Sequence, residues 1–273
     1  MDKPPEKKPV PTSWGNVAEW YDETVEQKGS YQKDLILPNL LRLMEIQKSE
    51  QILDLACGQG FFARAFQAAG AKVTGADISK ELIEIAKTKS PKEISYHVAS
   101  AESLPFLKDE SVDKVVIVLA LQNIEKFRET IEESSRVLTK KGTLYIVLNH
   151  PAFRIPKASS WEFSAEGGSA SGGDAHKKKN TQYRRIDRYL SELRTNIAMH
   201  PGSAPQEQTV SFHRPLQLYF KAFAKSGLAV LRLEEWISGK KSQDGPRGIA
   251  EDFARKEIPL FLTIEAQKMS SSS

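Results

Sequence analysis

The sequence predicts a doubly wound α/β domain built on a parallel sheet, and three observations carry that prediction. An apolar run, Ile52 to Ala56, ends in Gly58 and Gly60 and is followed by a helical stretch, the strand, turn, helix order of a nucleotide-binding unit. A second apolar run, Val73 to Ala76, ends in Asp77, and an acid at a strand tip can accept both hydroxyl hydrogen bonds of a ribose. From there to Leu148 apolar strands alternate with helical patterns, which implies a parallel sheet covered on both faces.

The elements follow in order. Residues 1–13 are Lys- and Pro-rich without an apolar signal core and read as a disordered start, with 14–273 as one domain. Trp14, Val17, Ala18 and Tyr21 recur at helical spacing in Trp14 to Glu26, and a second helix spans Asp34 to Met44, with Tyr31 and Gln32 between them. After the first strand, Gly58 and Gly60 let the backbone turn tightly and approach a ligand closely, because no Cβ intervenes. Phe61 to Ala69 is helical and stops at Gly70, so the N–H groups at its start face whatever sits above the strand ends. Ile94 to Ala99 and Val112 to Val118 read as the third and fourth strands. Glu125 to Leu138 is an amphipathic helix, Lys140-Lys-Gly142 turns the chain, and Thr143 to Leu148 is the fifth strand. Late in the chain Pro215 to Ser226 reads as helix, with Leu228 to Trp236 and Leu260 to Lys268 as strands.

Composition narrows the function classes. At 273 residues and 40% hydrophobic the chain can bury one substantial core plus an appendage. A net charge of +4 does not argue for nucleic acid at this length. The single cysteine, Cys57, excludes a disulfide framework and fits a reducing, cytoplasmic compartment. No run is long enough to span a bilayer, and the histidines with one cysteine give no metal-ligand spacing.

Asp54 decides which nucleotide suits the turn. A dinucleotide site favours a third glycine where Ala63 stands, and a carboxylate just before the turn would repel a pyrophosphate. The same charge favours a ligand carrying an ammonium and a sulfonium. With its Asp54-x-x-x-Gly58-x-Gly60 turn and second acid Asp77, the chain resembles the class I S-adenosylmethionine-dependent methyltransferases. Ser100-Ala-Glu-Ser-Leu-Pro-Phe106 is similar to the G-D-A-x-x-L-P-F signature of their small-molecule, type 11 branch, with Ser100 where the family usually has Asp. Leu119-Ala-Leu-Gln-Asn-Ile124 stands where that branch commonly has L-x-x-L-H-H-V, and Ala18-Glu-Trp-Tyr-Asp22 is similar to its early A-x-x-Y-D. The resemblance covers roughly Trp14 to Leu148. It implies a Rossmann-like, seven-stranded sheet of order 3-2-1-4-5-7-6 and S-adenosylmethionine as cofactor. It assigns Asp54 and the turn Ala56, Gly58 and Gly60 to the methionine end, with Phe61 among the cofactor-binding residues and Tyr21 bordering the methionine half; Tyr31, in the connector between the helices, is a candidate for the same rim. Asp77 and Ile78 fall to ribose and adenine, Ser100, Ala101 and Glu102 to the adenine loop, and Leu119 to the wall beside the methyl group.

Asn149 to Arg214 departs from the minimal fold as an insertion at the strand ends, where an acceptor would bind. Within it Ser164 to Lys179 is rich in Gly, Ser and Lys and reads as a mobile loop. Tyr183 to Leu190 reads as a strand that pairs with Thr209 to His213 in an antiparallel flap. Lys177 to Lys179, Arg184, Arg185 and Arg188 make the flap basic, either as a solvated face or as an attraction for an acidic acceptor. By position, His150, Tyr183, Arg185 and His213 are acceptor-side candidates, with His150 as a general base. Asn149-His-Pro-Ala-Phe153 superficially matches the N-P-P-F of amine methylating enzymes but follows the wrong strand. The expected activity is methyl transfer to a small molecule. An RNA or protein methyltransferase and a silent cofactor-binding protein are the alternatives.

Overall fold

In strand β4 (Val112–Val118) Val115 and Ile117 point to one side of the sheet and Val116 to the other, all fully buried, as an interior parallel strand requires. The same two-sided burial runs through β1 (Gln51–Leu55), β2 (Lys72–Asp77) and β5 (Leu138–Asn149). Together with β3 (Ser95–Val98), β10 (Leu228–Trp236) and β11 (Phe261–Lys268) they form a seven-stranded sheet of order β3-β2-β1-β4-β5-β11-β10. The first five strands are parallel, while β11 runs antiparallel to both β5 and β10. Counting sheet strands alone, this is the expected 3-2-1-4-5-7-6 order. The computed structural model describes residues 27–164, 181–200, 204–245 and 247–269.

Helices cover both faces. Leu53, Leu55, Val115, Ile117, Leu144 and Ile146 form one apolar cluster with Phe127 and Ile131 of α4 (Phe127–Val137) and Tyr219 and Phe223 of α5 (Leu216–Lys225). On the other face Ile52, Val73, Val116 and Val147 meet Leu40 and Met44 of α1 (Leu37–Met44) and Phe62 and Phe66 of α2 (Phe61–Ala68). Helix α3 (Lys80–Lys89) follows β2 and buries Leu82, Ile83 and Ala86. The expected helix from Asp34 begins as a π-helical turn, Gln32–Ile36, consistent with Pro38 lacking the N–H that a regular ladder would use. A further helix, α6 (Gly248–Glu257), fills the segment between β10 and β11.

Between β5 and α5 the chain forms two separate hairpins, which corrects the expected flap. Strand β7 (Thr181–Ile186) pairs with β6 (Ser159–Ser164), and β9 (Ala204–His213) pairs with β8 (Leu193–His200), each antiparallel. Thr209 to His213 therefore does not pair with Tyr183 to Leu190. The true partners are strands whose alternation, such as Leu193, Thr195 and Ile197, sits in polar sequence. β5 also starts earlier than Thr143, with Lys141 in the left-handed region where the ladder to β4 shifts register. The expected helix over Trp14 to Glu26, with Tyr21, and the mobile loop expected to begin at Ser164 lie outside the described residues, Ser164 itself excepted.

Candidate functional site

The tips of β1, β2 and β4 meet at one end of the sheet. β1 leaves through Ala56, φ 58°, Gly58, φ 55°, and Gly60, φ 78°, into α2. A Cβ at Gly60 would press on the Tyr96 hydroxyl and force that ring to shift, and the positive φ itself favours glycine there. Ala56 at the tip of β1 and Leu119 beyond the tip of β4 are both non-glycine residues held at positive φ, 58° and 52°. Held strain of this kind concentrates at ligand sites.

Two acids underlie the turn. Asp77 is 7% exposed; its Oδ2 accepts the Gly58 N–H at 2.9 Å and its Oδ1 the Ser79 N–H at 2.8 Å. These bonds fix the glycine turn to the tip of β2 and leave each oxygen further lone pairs. Burial pushes the Asp77 pKa up against those N–H groups. Asp54 is 1% exposed, and its Oδ2 has no hydrogen-bond partner. Burial first, and the charge of Asp77 as well, raise the Asp54 pKa to about 7 despite an Ala63 N–H.

Beyond β3, Ser100 bonds the Glu102 carboxylate, which also pairs with Lys126 at 3.3 Å. Burial alone would raise the Glu102 pKa, but these partners and its own N–H hold it below the usual value. After β4 a 3-10 turn, Leu121–Asn123, leads into α4. Arg214, only 4% exposed, donates to the Leu121, Ile124 and Glu125 carbonyls at 3.2, 2.8 and 3.0 Å. Its guanidinium also lies 4.2 Å from the Phe127 ring centroid and 4.9 Å from that of Phe212. Asn123 donates from Nδ2 to the Val210 carbonyl at 2.9 Å, so the C-terminal part of β9 is tied to the turn after β4 by donors from both sides. Gln122 donates to the Leu119 carbonyl and leaves a buried Oε1 unpartnered.

These parts enclose a cavity of about 450 Å³. One end is lined by Leu55, Ala56, Gly58, Asp77 and Ile78, continuing through Ser100, Ala101 and Glu102. The other is lined by Leu119, Ala120, Asn123 and Ile124, and by Arg194, Val210 and Phe212 of the β8–β9 hairpin. Asp54, Gly60 and Phe61 belong to the turn without lining the cavity. Tyr31 is elsewhere, its hydroxyl 3.0 Å from Ser238 Oγ and its ring edge-on to Phe261.

The four acceptor-side candidates do not line it. His150, 2% exposed, bonds Glu235 through Nε2 at 2.7 Å while Nδ1 accepts the Ala152 N–H at 3.2 Å, so no lone pair is left for base chemistry. Burial lowers its pKa, opposed by Glu235. Tyr183 donates to Glu162, and Arg185 is held by Glu162 and Asp187 on the outer hairpin. His213 engages the Tyr189 carbonyl at 2.7 Å and borders a separate small hollow. Position in the chain points to these residues and misses Arg194, Val210 and Phe212. The alternation of β8 and the inward turn of every second residue of β9 are the signals that could have found them.

Among the described residues no group of three or more His, Cys, Asp or Glu side chains is placed to hold a metal ion, and no helix is long and apolar enough to cross a membrane.

Residues 53–146 match the sequence model of a methyltransferase domain family. The chain is 37% identical over 105 residues to the demethylmenaquinone methyltransferase of Chlorobaculum parvum, covering 38% of this chain and 43% of that protein. To the protein of the same name from Paenarthrobacter aurescens it is 30% identical over 149 residues, covering 54% and 58%. The chain thus spans about half the length of these relatives. In fold it is similar to an S-adenosylmethionine-dependent methyltransferase from Mesorhizobium loti, with TM-score 0.62, 25% identity, and coverage of 84% and 96%. With the glycine turn, the acid at the tip of β2 and the strand order already in place, residues 53–146 thus match a methyltransferase domain within a Rossmann-like fold similar to that of S-adenosylmethionine-dependent methyltransferases.

Proposed function

We propose that the protein transfers a methyl group from S-adenosylmethionine to a small-molecule acceptor bound against the β8–β9 hairpin. The observation that carries this reading is the continuity of one cavity from the Gly58 turn and Asp77 to Val210 and Phe212. Such a cavity can seat a cofactor and an acceptor side by side. The residues present fit the cofactor: the buried, unpartnered Oδ2 of Asp54 suits a nearby cation, and Asp77 keeps lone pairs for ribose hydroxyls. When bound, S-adenosylmethionine supplies an activated methyl carbon.

The chain's own part is alignment and exclusion of water. Leu119, held by its N–H to the Val147 carbonyl at 2.8 Å, and Ala120 form a fixed apolar wall between the two ends of the cavity. Aligning two reactants in this way can lower the barrier by about 7 to 11 kcal/mol. His150 is not offered as a base, because both its nitrogens are engaged. The relatives named demethylmenaquinone methyltransferase support a small-molecule acceptor. A macromolecular acceptor draws less support, since Arg184 is held by the Phe153 carbonyl and Ser159, and Arg185 by two carboxylates.

The test is calorimetric titration of the full chain with S-adenosylmethionine and S-adenosylhomocysteine, NADH serving as control. Micromolar binding of the adenosyl ligands alone is the expected outcome; no adenosyl binding to folded protein refutes the proposal. Salt-sensitive RNA binding would favour the macromolecular alternative.

A further inference from the structure

We infer that Arg194 selects an acceptor that pairs an apolar ring with a carboxylate, an inference that rests on the methyltransferase reading above. In the β8–β9 ladder Arg194 is opposite Phe212 and Asn196 opposite Val210. Arg194, Val210 and Phe212 thus share one face, and all three line the cavity. The Arg194 guanidinium carbon is 6.0 Å from the Phe212 ring centroid.

Three other arginines of the segment between β5 and α5 have their donors engaged elsewhere. Arg184 serves the Phe153 carbonyl and Ser159, Arg185 serves Glu162 and Asp187, and Arg214 serves three carbonyls. Among the described residues no carboxylate forms an ion pair with Arg194. The remaining charged lining groups do not neutralise it: Asp77 and Glu102 belong to the glycine-turn end, Lys126 pairs with Glu102, and Glu125 is exposed with no ion pair to Arg194. A forked cation at one end of an apolar cavity recognises a planar anion best. Leu119, Ala120, Ile124, Val210 and Phe212 supply the apolar walls between that cation and the glycine turn.

The carboxylate is an anchor and not the methylated atom. Charge donated into an arginine fork lowers an oxygen's nucleophilicity, so the methyl group goes to a different atom of the same acceptor.

The experiment uses the full chain saturated with S-adenosylhomocysteine and a matched probe pair, naphthalene-2-carboxylate and naphthalene-2-carboxamide, titrated by calorimetry at low ionic strength. The acid is expected to bind at least about tenfold more tightly than the amide. In Arg194→Gln the ratio falls to about one while S-adenosylhomocysteine affinity is unchanged, and Arg194→Lys restores part of it. A ratio near one in the wild type, binding of neither probe, or a ratio that survives in Arg194→Gln overturns the inference. So does an Arg194→Gln variant that loses cofactor affinity as strongly as acid affinity, which would assign Arg194 to the cofactor. Failure of S-adenosylhomocysteine to bind folded wild type overturns the methyltransferase reading itself, and normal cofactor binding with no acid preference overturns this inference alone.

Discussion

Asp77 does two things with one carboxylate: it holds the Gly58 turn in place and offers its remaining lone pairs to the cavity. Asp77→Ala is therefore expected to weaken S-adenosylhomocysteine binding by about 1.5 to 3 kcal/mol, the range for hydrogen bonds to a charged group. Calorimetry on the folded variant reads this, and unchanged affinity would remove Asp77 from the ribose site. His150 gives the opposite expectation. Its Nδ1 accepts the Ala152 N–H and its Nε2 faces Glu235, so His150→Gln should leave the pH profile of turnover where it is while costing some stability. A profile that loses its limb near neutrality in this variant would restore His150 as a base.

At the level of elements, the cavity wall depends on how β9 is joined to the turn after β4. Arg214 satisfies three carbonyls and contacts two aromatic rings, and Asn123 reaches the Val210 carbonyl. Arg214→Met should leave those carbonyls unpaired and destabilise the protein by about 1 to 3 kcal/mol, seen as a lower Tm, with acceptor KM affected more than cofactor affinity. Equal loss of both would indicate general unfolding instead. This joint also marks where the sequence stops being legible. β1, β2, β4 and the glycine turn are legible because burial on both faces writes long apolar runs, and Asp54 and Asp77 stand at fixed places beside them. The hairpins are only half legible. β6 and β8 carry mixed polar residues, so their alternation is weak, and partner choice depends on contacts distant in sequence. Arg184 and Arg185 look available in sequence, yet their partners Phe153, Ser159 and Glu162 come from β6 and the residues before it.

For the whole molecule, the two buried acids link stability, pH and ligand. The Asp54 pKa is raised to about 7 and that of Asp77 is raised as well, both by burial first. A folded-state pKa above the unfolded one contributes stability that is fully present below about pH 4 and is lost as pH rises through the folded value, here toward 7 for Asp54. A ligand carrying an ammonium favours the ionised form and reverses that loss. The Tm increase produced by saturating S-adenosylhomocysteine should therefore be larger at about pH 8 than at about pH 5.5. In Asp54→Asn the difference between the two pH values should disappear. A shift independent of pH in the wild type would place the ligand's charge away from Asp54.

The paired register of β8 and β9 has a consequence for how this domain could change its chemistry over time. Positions 194, 210 and 212 look into the cavity, while the intervening residues look away from it and the hairpin is tied to the frame by Asn123 and Arg214. A new acceptor could thus be accommodated by exchanging a few inward side chains on a scaffold that stays put, so the hairpin behaves as a readable and rewritable strip.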